Sequence, residues 1–459
     1  MTTAKKILGF TMAMAIATAA NSAWPFSWDF ASRSDLIIAA RAGPGGDLWL
    51  LAESAVRGPA FERAVLLRID RGGNLLWVTE DPGLFAPSAL ALRPDGSALA
   101  IGGEVDGTFR ATAFAPDGTI RWSRRRADLA PDSVFSGPHA EPIWDEVLSA
   151  WRVPAGIEGD LAVVSFGANG EALPELRWPP PAGTGRANSL LLRPGGGLLL
   201  AGTIQDSPPP GWWVVAFDAK GAELWRHFES GAAPAGAFGG AVLLSTDPVR
   251  LWAVDETACG IFSLLLWALD AATGAPLWDT TWPPPGDCDS FTPYTVALAG
   301  DRIFAGGLGD VDDIDATQLD PIALAVNATN GELDWACTVA SPSFGIASAL
   351  VVGEHGILLA SSHFPPGGLG TAPLTLAAWS LAGKVCVNPS QPLPARVPFA
   401  LAPPAAGGGA ASHRLLVGGT YDPSTAEDVL IQKVVDPCSA VFVDGFESGG
   451  TIAWALQAP

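Results

Sequence analysis

The chain of 459 residues is apolar and acidic: 48% of its residues are hydrophobic, 16% are charged, and the formal net charge is −21. This hydrophobic content excludes a disordered protein, and the negative charge disfavours partners such as nucleic acid or anionic lipid. Gly (53) and Pro (40) are abundant without a collagen period, which in an apolar chain predicts many short strands joined by many turns.

Residues 1–23 have the pattern of a secretory signal. Lys5 and Lys6 precede the apolar stretch 7–20, and residues 19–23 are small enough for cleavage. The stretch is too short and too rich in Ala and Thr for a membrane span, and no later stretch is long and apolar enough to cross a bilayer. We therefore expect an exported chain, located in the periplasm, on the cell surface or outside the cell.

An internal repeat follows, marked by a Gly and, four residues later, a Trp. Successive repeat glycines are 45 to 57 residues apart. Each Gly follows three apolar segments separated by turn residues, and the Trp lies in a fourth. The full copies are Gly73/Trp77, Gly118/Trp122, Gly221/Trp225, Gly274/Trp278 and Gly331/Trp335; Gly170/Trp178 is interpreted as a copy with four extra residues, and Gly383/Val387 as a degenerate one.

Four short strands in about 50 residues are typical of a propeller blade. The glycine supplies the positive φ of a tight turn, and the Trp would be a structural docking residue buried between adjacent blades. We predict an all-β fold, a single eight-bladed β-propeller of four-stranded antiparallel blades over residues 24–438. The outer strand of the eighth blade would come from residues 439–443 or from residues 24–30. The alternative is seven blades, if the divergent third repeat is not a full blade.

The Gly-x-x-x-Trp strand resembles the tryptophan-docking repeats of the pyrroloquinoline-quinone (PQQ) dehydrogenases, and also those of non-enzymatic propellers such as the propeller lipoprotein of the outer-membrane barrel-assembly machinery. The resemblance covers nearly the whole mature chain and implies the fold rather than an activity. The quinoprotein enzymes carry two adjacent Cys over the cofactor, which this chain lacks. The resemblance therefore favours the non-enzymatic branch, with no cofactor expected.

The segment 442–449, Phe-Val-Asp-Gly-Phe-Glu-Ser-Gly, resembles the C-terminal end of many unrelated exported proteobacterial proteins. Trp454 fits that pattern, whereas Ala455 replaces its usual Ser. The tail 439–459 is thus predicted either to complete the last blade or to act as a sorting segment.

Among residues that could carry chemistry, an acidic loop is the best candidate. Carboxylates at alternating positions can converge on a hard cation such as calcium, although the loop lacks the Gly and terminal Glu of a helix–loop–helix calcium site. The alternative is a solvated acidic loop. The candidate metal ligands are Asp310, Asp312, Asp313 and Asp315.

Five cysteines in an exported chain permit disulfides. Cys259 falls in the loop between the second and third strands of blade five, and Cys288 in the loop that leaves its fourth strand. Both loops open on one face of a blade, so we predict a disulfide between Cys259 and Cys288. Cys337 and Cys386 lie in outer strands of neighbouring blades, and no bridge is expected between them.

No nucleophile elbow, phosphate-binding glycine loop or paired His spacing occurs, and no catalytic residue is assigned. The leading hypothesis is a non-catalytic exported propeller that binds or scaffolds a protein or glycan partner. The alternatives are a calcium-assisted carbohydrate-active enzyme that uses the central channel and a quinoprotein dehydrogenase. Convergent charged side chains in the channel would favour an enzyme.

Overall fold

The computed structural model describes most of the chain between residues 26 and 435. The described residues are 26–28, 34–55, 63–70, 73–106, 108–129, 141–180, 183–205, 211–230, 242–256, 262–283, 290–310, 320–338, 344–352, 356–364, 374–383, 385–387, 397–402, 413–419 and 429–435. Among them, no helix is long and apolar enough to span a membrane.

The described residues form eight four-stranded antiparallel sheets, the blades of a propeller. Blade one contains β2 (Ser34–Ala42), β3 (Leu48–Ala55), β4 (Arg63–Ile69) and β5 (Leu75–Asp81); blade two, β6 (Ala86–Leu92), β7 (Ala98–Gly103), β8 (Phe109–Phe114) and β9 (Ile120–Arg126). Blade three contains β10 (Ile143–Asp145), β11 (Ala150–Ile157), β12 (Asp160–Gly167) and β13 (Ala172–Trp178); blade four, β14 (Thr184–Leu192), β15 (Leu198–Gln205), β16 (Gly211–Phe217) and β17 (Glu223–Ser230).

The second half of the chain repeats this order. Blade five contains β18 (Val242–Thr246), β19 (Val249–Glu256), β20 (Phe262–Leu269) and β21 (Pro276–Trp282); blade six, β22 (Ser290–Ala299), β23 (Arg302–Asp310), β24 (Asp320–Asn327) and β25 (Leu333–Thr338). Blade seven contains β26 (Phe344–Val352), β27 (Gly356–Phe364), β28 (Leu374–Ser380) and β29 (Val385–Val387); blade eight, β30 (Val397–Ala402), β31 (His413–Gly419), β32 (Val429–Val435) and β1 (Phe26–Trp28).

The first strands of the blades form a closed inner ring. Each contacts the first strand of the next blade, and β30 of blade eight contacts β2 of blade one. The third repeat, on which the seven-bladed alternative depended, forms a four-stranded sheet whose inner strand β10 spans only Ile143–Asp145. The ring therefore includes all eight sheets.

The N-terminal strand completes the last blade. β1 pairs antiparallel with β32, and Phe26 lies opposite Ile431. Of the two outer strands predicted for this blade, residues 24–30 therefore provide the one that the structure describes; residues 439–443 lie outside the described part of the chain.

Two faces of the propeller differ in their connections. Because neighbouring strands are antiparallel, the turns between strands one and two and between strands three and four lie on one face, which we call the turn face. The loops between strands two and three, and the connections between blades, lie on the opposite face, which we call the loop face. On the turn face, Gly118 has φ +84° and its N–H donates to the carbonyl of Ala115 at 2.9 Å.

The core lies between blades, because both surfaces of each sheet are covered by neighbouring sheets. Trp49 and Leu66 of blade one, for example, pack with Leu90 and Phe114 of blade two, and all four are at most 1% exposed. Strands that are apolar on both surfaces therefore replace the alternating pattern of a half-exposed sheet.

The repeated Trp residues lie against the turn glycine of the following blade. A Cβ atom added to Gly118 would come within 2.6 Å of the Trp77 ring, and Gly274 is equally close to Trp225, at 2.4 Å. Trp122 (7% exposed) and Trp225 (8%) are buried as predicted, whereas Trp77, Trp278 and Trp335 are half-buried. The remaining ring–glycine pairs are Trp122/Gly170, Trp278/Gly331 and Trp335/Gly383.

Blade three departs from the predicted repeat. β13 contains no four-residue insertion, and Leu176 takes the position against Gly221 of blade four. Trp178 lies further along the strand, where its ring centroid is 4.9 Å from that of Trp213 and its Nε1 donates to Glu223 at 2.8 Å. The predicted equivalence of Trp178 to the other five Trp residues is therefore wrong.

Candidate binding surface

The inner strands share a β-bulge that shapes the centre of the propeller. It recurs in seven first strands, between Pro87 and Ala89 in β6 and between Ala187 and Ser189 in β14, for example. The polar side chains at two of these bulges bond to the second strand of their own blade: the Ser88 hydroxyl donates to the carbonyl of Ile101 at 3.2 Å, and Asn188 accepts from Thr203. These side chains therefore add hydrogen bonds to the second strand at the point where the bulge interrupts the regular ladder. The other bulges lie between Ile37/Ala39, Leu243/Ser245, Pro293/Thr295, Ala347/Ala349 and Pro398/Ala400.

An ion pair crosses the inner ring. The guanidinium of Arg41, near the end of β2, contacts the carboxylate of Glu141, which leads into β10. The pair thus links blades one and three past the inner strand of blade two. Since each charge has the other as its partner and Arg41 also donates to the carbonyl of Ala40 at 2.7 Å, neither group presents free charge to a ligand.

The turn between β10 and β11 exposes two aliphatic side chains, Val147 and Leu148, which we call the apolar tip. Val147 is 73% exposed and Leu148 is 44% exposed. The corresponding turns of blades one, two, four, five and six are made mainly of Gly, Pro and polar residues, such as Arg93-Pro-Asp-Gly and Arg193-Pro-Gly-Gly. Blade three alone among these six thus presents large apolar side chains on the inner part of the turn face.

A buried charged pair fixes the backbone of the apolar tip. Asp145, 1% exposed, accepts hydrogen bonds from the N–H groups of Val147 (3.0 Å) and Leu148 (3.2 Å). Its second carboxylate oxygen lies 3.4 Å from Nε of Arg152, and Arg152 donates to the Ser165 hydroxyl at 2.7 Å. The side chains of the tip are therefore presented by a preorganised turn, which lowers the entropic cost of binding.

The apolar tip has neighbours on both sides. A Cβ atom added to Gly196, in the adjacent turn of blade four, would lie 3.7 Å from Val147. On the side of blade two, the guanidinium carbon of Arg93 lies 3.7 Å from the centroid of the Trp144 ring. The tip thus lies between the turns of blades two and four.

The loop face of blades one and two carries charge that is paired. Arg125 contacts both Glu104 and Asp106, while Arg110 contacts Glu104 and lies 3.8 Å from Asp81. Hydrogen bonds from the Thr108 side chain, with the nearby guanidinium of Arg125, lower the pKa of Asp106. These groups stabilise the blades and leave little free charge for a charged ligand.

A second set of ion pairs joins blades two and three. Arg126 contacts Asp128 within its blade and Glu175 in the next, and these hydrogen bonds raise the pKa of Arg126 above its ordinary value. Glu175 also accepts from Arg177 at 3.1 Å. The contact is therefore a bridge between blades.

The predicted calcium ligands are mostly outside the described residues. Asp310 is the last residue of β23 and lies opposite Ser290, whereas Asp312, Asp313 and Asp315 fall in the undescribed stretch 311–319. Within the described ranges, no group of three or more His, Cys, Asp or Glu residues could hold a metal ion. The calcium site thus stays a prediction.

The predicted disulfide also lies outside the described residues, because Cys259 and Cys288 fall in stretches 257–261 and 284–289. Cys337 in β25 is a free thiol. Its Sγ lies 3.5 Å from the carbonyl oxygen of Gly383 in blade seven, and burial raises its pKa.

The sequence reasoning missed the apolar tip. Two signals were available: the segment 146–149, Glu-Val-Leu-Ser, lacks the Gly and Pro of the corresponding turns, and it follows an Asp that can accept hydrogen bonds from a turn backbone. Its exposure depends on the short inner strand β10, which the sequence did not reveal.

Solved propellers resemble this structure at low sequence identity. The quinohemoprotein alcohol dehydrogenase of Comamonas testosteroni matches with a TM-score of 0.58 and 13% identity, over 90% of this chain and 76% of that one. The enzyme ADHIIG of Pseudomonas putida HK5 matches with 0.53 and 14%, over 89% and 75%. Chaetomium thermophilum Sqt1, solved with the N-terminus of ribosomal protein L10, matches with 0.54 and 12%, over 88% and 98%.

These similarities show the fold alone, a propeller of the kind found in PQQ-type dehydrogenases and also in Sqt1. No protein-family model matches the chain. No curated protein matches it either.

Proposed function

We propose that this chain is an exported, non-catalytic propeller that binds a protein partner through its turn face, with the apolar tip as the central contact. The observation that carries the proposal is the exposure of Val147 and Leu148 on a turn fixed by Asp145. Aliphatic side chains that a fixed turn presents to solvent can be buried in a partner with little loss of conformational entropy, and their burial removes apolar surface from water.

The chemistry of the partner follows from the tip. Aliphatic side chains that protrude from a surface require an apolar pocket on the partner, and the net charge of −21 favours a pocket with a basic rim. A glycan would instead be held by convergent polar groups. We therefore favour a protein over a glycan.

The fold is compatible with the alternative function, a quinoprotein dehydrogenase. The sequence of this chain, however, lacks the adjacent Cys pair of those enzymes. Titration of the purified chain with PQQ and calcium distinguishes the two functions. Saturable binding with a shift in the quinone spectrum would support the dehydrogenase and contradict the proposed role.

Binding is tested first by site-specific cross-linking. A photoreactive residue at position 147 should cross-link one partner in cells, whereas the same residue at Val105, on the loop face and 55% exposed, should not. Equal cross-linking from both positions would indicate non-specific contact.

The identified partner is then purified and its affinity measured by calorimetry. The double variant Val147→Ser, Leu148→Ser should weaken binding by ~100-fold or more, since loss of two interface anchors costs several kcal/mol. Val105→Ser is the matched control and should bind normally. Unchanged affinity in the double variant would exclude the tip as the contact.

A further inference from the structure

An arginine beside the apolar tip holds a charge that the blades do not use. Arg93 begins the turn Arg-Pro-Asp-Gly between β6 and β7, and its guanidinium lies over the ring of Trp144, the residue before the Asp145 that fixes the tip. Among the described residues, Arg93 donates no hydrogen bond, and its one ion pair is with Asp95, 3.4 Å from Nη2. We propose that Arg93 binds a carboxylate of the protein partner. This inference rests on the proposed function, because it places the carboxylate beside the pocket that receives the tip.

The matching arginine of blade four shows what this position does elsewhere in the propeller. Arg193 begins the turn Arg-Pro-Gly-Gly, and its Nη2 donates to the carbonyl of Ala271 in blade five at 2.7 Å. At the equivalent place in blade three, the carbonyl of Ala168 accepts from Trp122 at 3.0 Å but not from Arg93. Arg93 therefore does not make the contact between blades that Arg193 makes, and its donors remain for another acceptor.

The guanidinium of Arg93 is held in a position that suits an anion. Its carbon atom lies 3.7 Å from the centroid of the Trp144 ring, and this contact restrains the side chain, so that little conformational entropy is lost on binding. The Nε atom is buried and has no acceptor among the described residues. Because the side chain is 19% exposed, solvent reaches the guanidinium through its terminal nitrogens. A carboxylate can accept two parallel hydrogen bonds from a guanidinium.

Asp95 matches the charge of Arg93 only in part. One carboxylate oxygen of Asp95 accepts from the backbone N–H of Ser97 at 2.8 Å, a contact within its own turn. The other oxygen approaches Nη2 of Arg93 to 3.4 Å, and Asp95 is 45% exposed, so water screens this ion pair. A partner carboxylate that loses its water on binding would interact with Arg93 more strongly than Asp95 does.

The charge of the chain selects the class of anion. At a net charge of −21, the chain repels anions, and the repulsion grows with the charge that the anion carries. One guanidinium offsets the single charge of a carboxylate but not the nearly two charges of a phosphate monoester. The partner surface would therefore be an apolar pocket with a basic rim and one acidic group on the side that faces blade two. This group is either an acidic side chain or the C-terminal carboxylate of the partner.

A first test uses acetate as the probe and needs no partner. Titration of the full chain with sodium acetate, with sodium chloride keeping the ionic strength constant, should shift the indole N–H resonance of Trp144 and reach saturation. Arg93→Gln should abolish this shift. Arg226→Gln is the matched control, because Arg226 lies over the Trp178 ring in the outer strand β17, and it should leave the shift unchanged. A shift that does not saturate, or that persists in Arg93→Gln, would overturn the proposal.

A second test uses the protein that is cross-linked from position 147. Arg93→Gln should weaken its binding by ~tenfold or more, since a close charge pair at an interface is lost. Arg93→Lys should recover part of the affinity, because it keeps the charge but not the planar donors, and Arg226→Gln should bind normally. Amide replacement of each acidic side chain of the partner, and amidation of its C terminus, identify the source of the carboxylate. The change that matters should have no further effect on Arg93→Gln.

The two proposals can fail separately. Normal binding by Arg93→Gln, with weak binding by the double variant Val147→Ser, Leu148→Ser, would overturn the carboxylate contact and leave the proposed function standing. Weak binding by Arg93→Gln, with normal binding by the double variant, would exclude the tip as the contact and retain Arg93.

Discussion

Arg302 and Trp335 donate hydrogen bonds to the same acceptor, the backbone carbonyl of Leu381 in the next blade, at 2.9 and 3.2 Å. The Trp comes from the outer strand and the Arg from the beginning of the second strand, so one turn is held by two strands of the preceding blade. The arrangement recurs with Arg68 and Trp77 on Pro116, and with Arg193 and Trp225 on Ala271.

A shared acceptor predicts coupling between its donors. Trp335→Phe keeps an aromatic ring over Gly383 and loses the N–H donor, and Arg302→Met loses the other donor. Each single variant should lower the free energy of unfolding by about 1 kcal/mol, because the carbonyl keeps one hydrogen-bond partner. The double variant should cost about 1 kcal/mol more than the sum, measured by urea unfolding. Asp334→Asn controls for the 2.7 Å contact of Arg302 with Asp334, and strict additivity would contradict the coupling.

The repeat was predictable because it depends on local chemistry. A turn position with φ near +80° favours Gly, and the spacing from Gly118 to Trp122 is set within one hairpin. The second donor was not predictable, because Arg68 comes from a third strand while Arg302 begins a second strand, and each meets an acceptor many residues away.

The candidate binding surface was predictable only in part. The sequence pointed to the acidic loop that contains Asp310 and Asp312, and most of that loop lies outside the described residues. The apolar tip depends on Asp145 and Arg152, whose pairing appears only once β10 and β11 form a hairpin.

The close approach of Trp77 to Gly118 predicts an asymmetry between glycines of similar backbone. Gly118 (φ +84°) and Gly195 (φ +86°) both disfavour Ala, but a Cβ at Gly118 would meet the Trp77 ring at 2.6 Å, whereas Gly195 has no heavy atom within 4 Å. Gly195→Ala should lower the free energy of unfolding by about 1–2 kcal/mol because of backbone strain. Gly118→Ala should cost clearly more in chemical unfolding, and similar costs would show that the ring moves aside freely.

The buried pair below the apolar tip should be costly to break. Arg152→Met leaves the Asp145 carboxylate, 1% exposed, without its cationic partner, and we expect a loss of about 3–5 kcal/mol in the free energy of unfolding. Arg177→Met removes a guanidinium from exposed pairs with Glu158 and Glu175 and should cost below about 1 kcal/mol. Equal losses would mean that water reaches Asp145.

The calcium prediction is tested by chelation. If Asp310, Asp312, Asp313 and Asp315 bind calcium, EDTA should lower the thermal unfolding midpoint and added calcium should restore it. The variant Asp312→Asn, Asp313→Asn should abolish both responses. A midpoint that does not respond to EDTA in the wild-type chain would exclude a stabilising calcium ion.

The Asp residues of the turn face predict how stability changes with acid. The Thr119 side chain and backbone N–H donate to Asp117 and lower the pKa of its carboxyl, and Thr273 does the same for Asp270. Because each folded pKa lies below the unfolded value of about 3.9, the stabilising contribution is fully present above that value. It is lost as the pH falls through the folded pKa.

Thr119→Val and Thr273→Val should therefore raise the carboxyl pKa of Asp117 and Asp270, measured by NMR titration. They should also make the free energy of unfolding depend less on pH below about 4. Stability at pH 7 should fall in each Val variant, since the charged carboxylate loses a donor there. Thr280→Val, in the outer strand β21, controls for the Thr-to-Val substitution itself. If the carboxyl pKa values of Asp117 and Asp270 remain lowered in the Val variants, the backbone N–H groups alone lower them, and the prediction is wrong.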